Sequence, residues 1–186
     1  MSKEGQLEKI ARDIIENQVC PDLAASAIQL VPGEGSADAA IMLVGEAPGA
    51  AEDREGRPFI GASGKFLAEM LASINLTRED VFITNIVKYR PPSNRDPFPD
   101  EIETFKPYLQ QQIDIIKPKI IITLGRHAMN VFLPGAKISQ MHGQPQTIDG
   151  HVYLPLYHPA AALYNGSMRV TLKEDFARIP DILEQL

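Results

Sequence analysis

At 186 residues, with 44% apolar and 23% charged side chains, the sequence has the make-up of one folded domain with a sizeable core, which excludes a disordered or fibrous chain. Its net charge of −6 excludes a broadly basic, non-specific nucleic-acid binder and leaves room only for a local basic patch. A lone cysteine, Cys20, excludes an internal disulfide framework and points to the cytoplasm, and no apolar run approaches the length of a membrane span.

Residues 6–17 carry Leu7, Ile10, Ala11, Ile14 and Ile15 at helical spacing, so the N-terminal stretch reads as an amphipathic, acidic helix and not as a secretory signal. Residues 20–36 read as irregular and end in a Pro-Gly turn cluster. A buried strand follows at residues 40–44, then a long segment broken by Gly45, Pro48, Gly49, Gly56, Pro58, Gly61 and Gly64. That segment holds four acids (Glu46, Glu52, Asp53, Glu55) and one large aromatic, Phe59. Backbone turns at fixed glycines and prolines suit close approach to a ligand, and the acids suit chemistry or a hydrogen-bonded scaffold.

Phe66, Leu67, Met70, Leu71 and Ile74 predict a helix over residues 63–74, and residues 81–86 a second strand. The run Lys88-Tyr89-Arg90-Pro91-Pro92 after it cannot be helical. Asp100 and Glu101 open a helix to residue 116; residues 119–124 form a third strand, and a short helix covers 126–132. Asp149-Gly150 reads as a hairpin turn leading into a fourth strand at 152–157, with antiparallel pairing before it. His158-Pro159-Ala160 ends that strand, and a helix over 171–186 closes the chain, with Leu172, Phe176, Ile179 and Leu183 inward. Such alternation predicts a mostly parallel sheet covered on both faces, with ligands bound at the strands' carboxyl ends. The loops leaving those ends begin at Gly45, Asn85, Gly125 and His158, where the unusual residues gather.

The segments GEAPGAAEDREGRPFIGASG, ITNIVKYRPPSNRDP, LGRHA and YHPAAALYN resemble the uracil-DNA glycosylase superfamily over residues 32–175, and most closely its family-4 branch. The pairing of GEAPG-x-x-ED with a downstream HPA is specific, whereas either half alone is weak. The resemblance implies a single α/β domain spanning residues 1–186, a three-layer α/β/α sandwich around a four-stranded parallel sheet. It also implies excision of uracil from DNA by a monomer with no metal at the active site. Absence of a GxxxxGK[ST] or GxGxxG loop argues against an unrelated nucleotide enzyme. A catalytically weak relative that binds DNA or deaminated bases is the other alternative.

A base must be rotated out of the duplex before its glycosidic bond is reached, and the departing uracil carries negative charge, so donors aimed at it are the main requirement. By resemblance His158 is the donor to uracil O2. Gly45, Ala47, Phe59 and Asn85 contact the base, Phe59 by stacking and Asn85 by an amide that offers both donor and acceptor. Glu46 and Glu52 match the family's carboxylates near the attacking water and the uracil C5 edge. Family-1 enzymes carry an aspartate where this chain has Ala47, so either Glu46 or Glu52 positions the water, or leaving-group stabilisation carries most of the rate. Phosphate contacts are expected from Lys88, Arg90 and Arg95 on one loop, from Arg126 and from Arg169. Leu163 or Tyr164 is expected to enter the duplex; the other reading of either is core packing.

One departure is large. Family-4 enzymes usually hold a four-iron four-sulfur cluster on four cysteines: a pair near the N-terminus, one in a KCRPP motif and one in the helix after it. Here the last two positions read Tyr89 and Phe105, only Cys20 remains of the pair, and one thiolate cannot hold a cubane cluster. No cofactor is expected. Instead Tyr89 and Phe105 are expected to lie close together and buried, with residues 20–23 packed over them.

Overall fold

Four short, mostly apolar runs show no regular polar alternation, so both faces of such a strand suit burial, and they pair side by side in the middle of one sheet. The computed structural model describes residues 1–186. In chain order, α1 (Lys3–Glu16) and α2 (Pro21–Ser26) precede β1 (Glu34–Gly35) and β2 (Ile41–Gly45). The helices α3 (Ala50–Glu55) and α4 (Ala62–Ser73) lead to β3 (Phe82–Asn85), and α5 (Pro99–Ile116) leads to β4 (Ile120–Leu124). Then come α6 (Arg126–Phe132), α7 (Ile138–Met141), β5 (Gln146–Ile148) and β6 (His151–Leu156), before α8 (Pro159–Leu163), α9 (Gly166–Ala177) and α10 (Ile179–Glu184).

The strand order is β1-β3-β2-β4-β6-β5. Strands β3, β2, β4 and β6 run parallel, Val44 lying level with Thr84 and Thr123. The sheet is nevertheless six-stranded and mixed, not four-stranded: β1 pairs antiparallel with β3, and β5 with β6. At two residues β1 is too short to show a period. The second edge follows from the Asp149-Gly150 turn, which sets Ile148 opposite His151.

Alternate side chains go to opposite faces. Ile41, Leu43, Ile83, Ile122 and Leu154 meet Phe66, Leu67 and Met70 of α4 and Leu172 and Phe176 of α9. Met42, Val44, Phe82 and Ile121 meet Leu109 and Ile113 of α5 and Ala128 of α6. These are the two outer layers of an α/β/α sandwich. Both faces being dry, all five residues of β2 and of β4 are buried.

Three local expectations are corrected. The segment after β2 is not all loop: Gly49 precedes one and a half turns of helix, α3, whose first turn carries Glu52 and Asp53 where acids complement the dipole. Residues 20–36 are not all irregular, since Pro21 opens α2. The closing helix is two helices, α9 beginning at Gly166 under an Asn165 cap whose Oδ1 accepts from the Met168 amide at 3.1 Å, and α10 beginning at Ile179. Pro180 has no N–H for the carbonyl four residues back, which breaks the run at Arg178.

A third apolar cluster staples the N-terminus to the sheet. Tyr89 and Phe105, both buried, meet edge to face with ring centroids 6.1 Å apart, and Ile10, Ile14 and Leu23 pack around them with Cys20 at the margin. The residues present do not fit a cubane cluster: the thiol-bearing positions are rings, and Cys20 is alone.

Candidate active site

The carboxyl ends of β2, β3 and β6 and the segment after α3 enclose a cleft of about 400 Å³. Glu46, Ala47, Glu52, Phe59, Asn85, Arg95 and His158 all line it. Gly45 makes their approach possible. A Cβ there would sit 2.5 Å from both Asn85 Oδ1 and the Phe59 ring, so no other residue fits without displacing the two groups beside it. Gly125, at φ +89°, lets the end of β4 lie against the His158 side chain, only 3.1 Å from where a Cβ would be.

Asn85, last residue of β3, is buried, and its side-chain oxygen has no hydrogen-bond partner. An orphaned acceptor at the wall of a cleft is expensive unless a ligand supplies the donor. Phe59 has a left-handed backbone, φ +50°, and its ring stacks on His158 at 5.5 Å between centroids. Arg78 holds that backbone in place, donating to the carbonyls of Phe59 and Pro58 at 2.6 Å each while paired with Glu34. Sequence reasoning missed Arg78, and no signal pointed to it, since it lies 19 residues from Phe59 and in no motif.

His158 begins the turn into α8, and its Nδ1 accepts the Ala160 backbone N–H at 3.0 Å. That bond leaves the ring proton on Nε2. Desolvation lowers the His158 pKa to about 4, partly opposed by the Glu52 carboxylate, so the ring is neutral at physiological pH. The neutral tautomer is thus favoured twice, by geometry and by electrostatics.

The two acids differ. Glu52 Oε1 accepts from the amides of Ile60 and Gly61 at 3.1 and 2.9 Å, which ties the segment between Phe59 and α4 to α3. Asp53 does similar work on the other side, accepting from the amides of Ile28 and Gln29 at 2.9 and 3.3 Å. Glu46 makes no such backbone bond. Burial raises its pKa, His127 opposes the rise, and Asp96 adds to it. His127 Nε2 lies 3.8 Å from Glu46 and 3.2 Å from Asp96, with the Arg126 guanidinium 3.5 Å from Asp96. This charged cluster also went unforeseen, although His127 lies in the LGRHA segment.

The basic residues separate into two groups. Arg95 lines the cleft, clasped by Glu101 at 2.7 Å and stacked over Phe98; Arg90 donates to Asn94 at 2.8 Å; Arg126 is exposed. Arg169 does not line the cleft, pairing with Glu69 at 3.2 Å and lying over the Phe66 ring. Lys88 is a clear correction. It is fully buried, and its Nζ is spent on Thr84 Oγ1, Asn85 O and Gln112 Oε1 at 2.6–2.7 Å, so it cannot reach a phosphate. The residue lies three positions past the end of β3, in a stretch that stays buried as far as Tyr89. After α8, Tyr164 is 94% exposed while Leu163 packs against the core. Exposure leaves Tyr164, unlike Leu163, without a packing role in the core.

The uracil DNA glycosylase superfamily model matches residues 32–183. The chain is similar to proteins named type-4 uracil-DNA glycosylase: 48% identical to that of Sulfurisphaera tokodaii, over 95% of this chain and 84% of the relative. The Archaeoglobus fulgidus protein of that name is 44% identical over 95% of this chain and 92% of its own. That of Thermotoga maritima is 36% identical over 99% of this chain and 98% of its own. With a family model spanning most of the chain and relatives matched nearly end to end, this protein belongs to the uracil-DNA glycosylase superfamily, beside its type-4 members.

Proposed function

We propose that this chain is a monofunctional uracil-DNA glycosylase of base excision repair, which hydrolyses the N-glycosidic bond of a uracil flipped out of DNA. The observation that carries the reading is one cleft holding a partnerless Asn85 oxygen, a His158 whose Nε2 bears the proton, and the Phe59 ring. Uracil supplies what each lacks. Its N3–H donates to Asn85 Oδ1, its O4 accepts from Asn85 Nδ2, its O2 accepts from His158 Nε2–H, and its face lies against Phe59.

As the C1′–N1 bond breaks, the electron pair leaves with uracil, and the sugar becomes electron-poor. The neutral His158 donor stabilises charge that grows on O2, a larger gain in the transition state than in the ground state. Water then bonds to C1′ through its oxygen and gives up a proton, which in the net reaction neutralises the uracil anion. Of the two acids, Glu46 is the one placed to orient that water, because Glu52 Oε1 is already held by two amides. Arg90, Arg95 and Arg126 supply phosphate contacts around the mouth, and Tyr164 fills the space the base leaves. No helix is long and apolar enough to cross a membrane, and the proposal includes action as a monomer in the cytoplasm.

Cleavage of a uracil-containing oligonucleotide at the abasic site, against a thymine control, tests the reading; no cleavage by the purified chain removes it. Asn85→Asp is expected to slow uracil excision at least roughly tenfold, the scale of one mispaired buried group, and to admit cytosine when the new carboxyl is protonated. Unchanged discrimination between the two bases would overturn the Asn85 assignment. DNA affinity is expected to fall steeply with salt, since each neutralised phosphate releases counterions. A flat salt dependence of Kd would remove Arg90, Arg95 and Arg126 from the interface.

A further inference from the structure

Lys88 is a lysine without a carboxylate. Its side chain is wholly buried, and none of the chain's ion pairs includes it. Three oxygens surround Nζ instead: Thr84 Oγ1 at 2.6 Å, and Asn85 O and Gln112 Oε1 at 2.7 Å each. Thr84 Oγ1 lies 3.0 Å from Pro32 O and donates its own proton there, so it presents a lone pair to Nζ. Gln112 Nε2 donates to the same carbonyl at 2.8 Å, which fixes the amide with its oxygen toward the lysine. Three acceptors match the three N–H bonds of an ammonium; a neutral amine has two.

Burial alone pulls the Lys88 pKa well below its ordinary value, and the oxygen cage opposes it by satisfying the charged form. An isolated buried charge is costly, and the three acceptors around Nζ are the geometry that holds one in place. Its location says what it acts on. The carbonyl that Nζ grips belongs to Asn85, the residue whose side-chain oxygen stands partnerless at the cleft. Gripping it fixes the end of β3 and hence the aim of the amide. In an interior of low dielectric, the same charge, one hydrogen bond from Asn85, acts on the cleft that the Asn85 side chain lines.

We propose that Lys88 is a positioning residue for glycosidic cleavage: its caged ammonium pins the Asn85 backbone beneath the base and lends positive charge to the departing uracil anion. The inference rests on the glycosylase reading. It assigns a new role to a residue that sequence reasoning placed at the phosphates.

Lys88→Met keeps the length and removes the charge. Its three stranded oxygens will lower stability, so Lys88→Met/Gln112→Leu, which withdraws one of them, is made alongside, and melting curves establish that both fold. Three quantities are read. Single-turnover cleavage of a uracil oligonucleotide is expected to fall at least roughly tenfold, while Kd for a non-cleavable 2′-fluoro-deoxyuridine oligonucleotide stays within about twofold. The N1–H pKa of free uracil bound to the protein, followed by its ultraviolet ionisation spectrum, is expected to rise by about one unit, the same tenfold factor.

A purely structural lysine would lower the melting point and leave the bound-uracil pKa where it was. That outcome overturns the proposal. A fourth measurement needs no variant: the Lys88 ε-nitrogen resonance in 15N-lysine-labelled parent protein is expected at the ammonium position at pH 7. A neutral-amine resonance there overturns the proposal even if neither variant folds. Failure of the glycosylase reading is distinguishable, because it appears as a parent protein that cleaves no uracil.

Discussion

His158→Ala is expected to lose about 2–4 kcal/mol of transition-state stabilisation, roughly 30- to 1,000-fold in single-turnover rate, with substrate affinity little changed. The size is that of one preorganised donor removed from a water-poor site. Preorganisation is visible in the chain itself: Ala160 N–H holds Nδ1 at 3.0 Å, Gly125 supports the side chain from behind, and Phe59 covers the ring. His158→Gln keeps a donor without the ring and is expected to recover part of the loss. A His158→Ala enzyme that cleaves at the parental rate would remove His158 from the chemistry.

The pH behaviour follows with a definite sign. The folded His158 pKa is about 4, below the ordinary histidine value near 6.5. The unfolded chain therefore binds the proton more readily, and the stability that neutral His158 contributes is complete above about pH 6.5. It drains away as pH falls toward about 4. Thermal midpoints measured at pH 7.5 and 4.5 should differ less in His158→Gln than in the parent. Between pH 6.5 and 8 the rate should not follow His158 titration at all; a rate that rose through pH 6.5 with a pKa removed by His158→Gln would contradict the neutral donor.

The sequence made the sheet's four parallel strands legible because each is a short, mostly apolar run, and it placed the cleft because four loops leave one edge. What was not legible has physical causes. Two-residue β1 and four-residue α7 are shorter than any period, and α3 hides among glycines. Pro180 was visible, but the apolar spacing through Phe176, Ile179 and Leu183 masked the break, since a second helix can resume the same face. Lys88 is the instructive miss. A lysine beside two prolines and two arginines reads as a solvated basic patch, and only the three-dimensional cage of Thr84, Asn85 and Gln112 reveals that its head points inward. Arg78 and the Asp96–His127 pair were invisible for a related reason: each acts on a residue far away in the chain, and contact across a fold leaves no local pattern.

Phe105→Ala is expected to destabilise the protein by about 3–5 kcal/mol, the range for deleting a buried phenylalanine ring. Phe105 is wholly buried, and the hole would open where α1, α2, α5 and the loop after β3 meet. For a chain of this size each kcal/mol moves the midpoint by about 2–4 °C, so the melting temperature should fall by about 10 °C. Part of that loss belongs to the ring pair. Tyr89 and Phe105 meet at an interplanar angle of 66°, the edge-to-face geometry in which a positive ring edge meets a negative face. Such pairs contribute about 0.5–1.5 kcal/mol beyond their area, which a double-mutant cycle with Tyr89→Leu and Phe105→Leu will isolate. The consequence for activity is graded by distance. Tyr89 stands next to Arg90 and Pro91, and Pro91 lines the cleft, so loosening the staple should raise KM for DNA before it lowers kcat. Chelators and reductants should leave the parent's stability unchanged, because two rings and a single thiol replace the four thiolates a cluster needs. If Phe105→Ala melts within about 2 °C of the parent, less than 1 kcal/mol is lost, and the rings do not act as a staple.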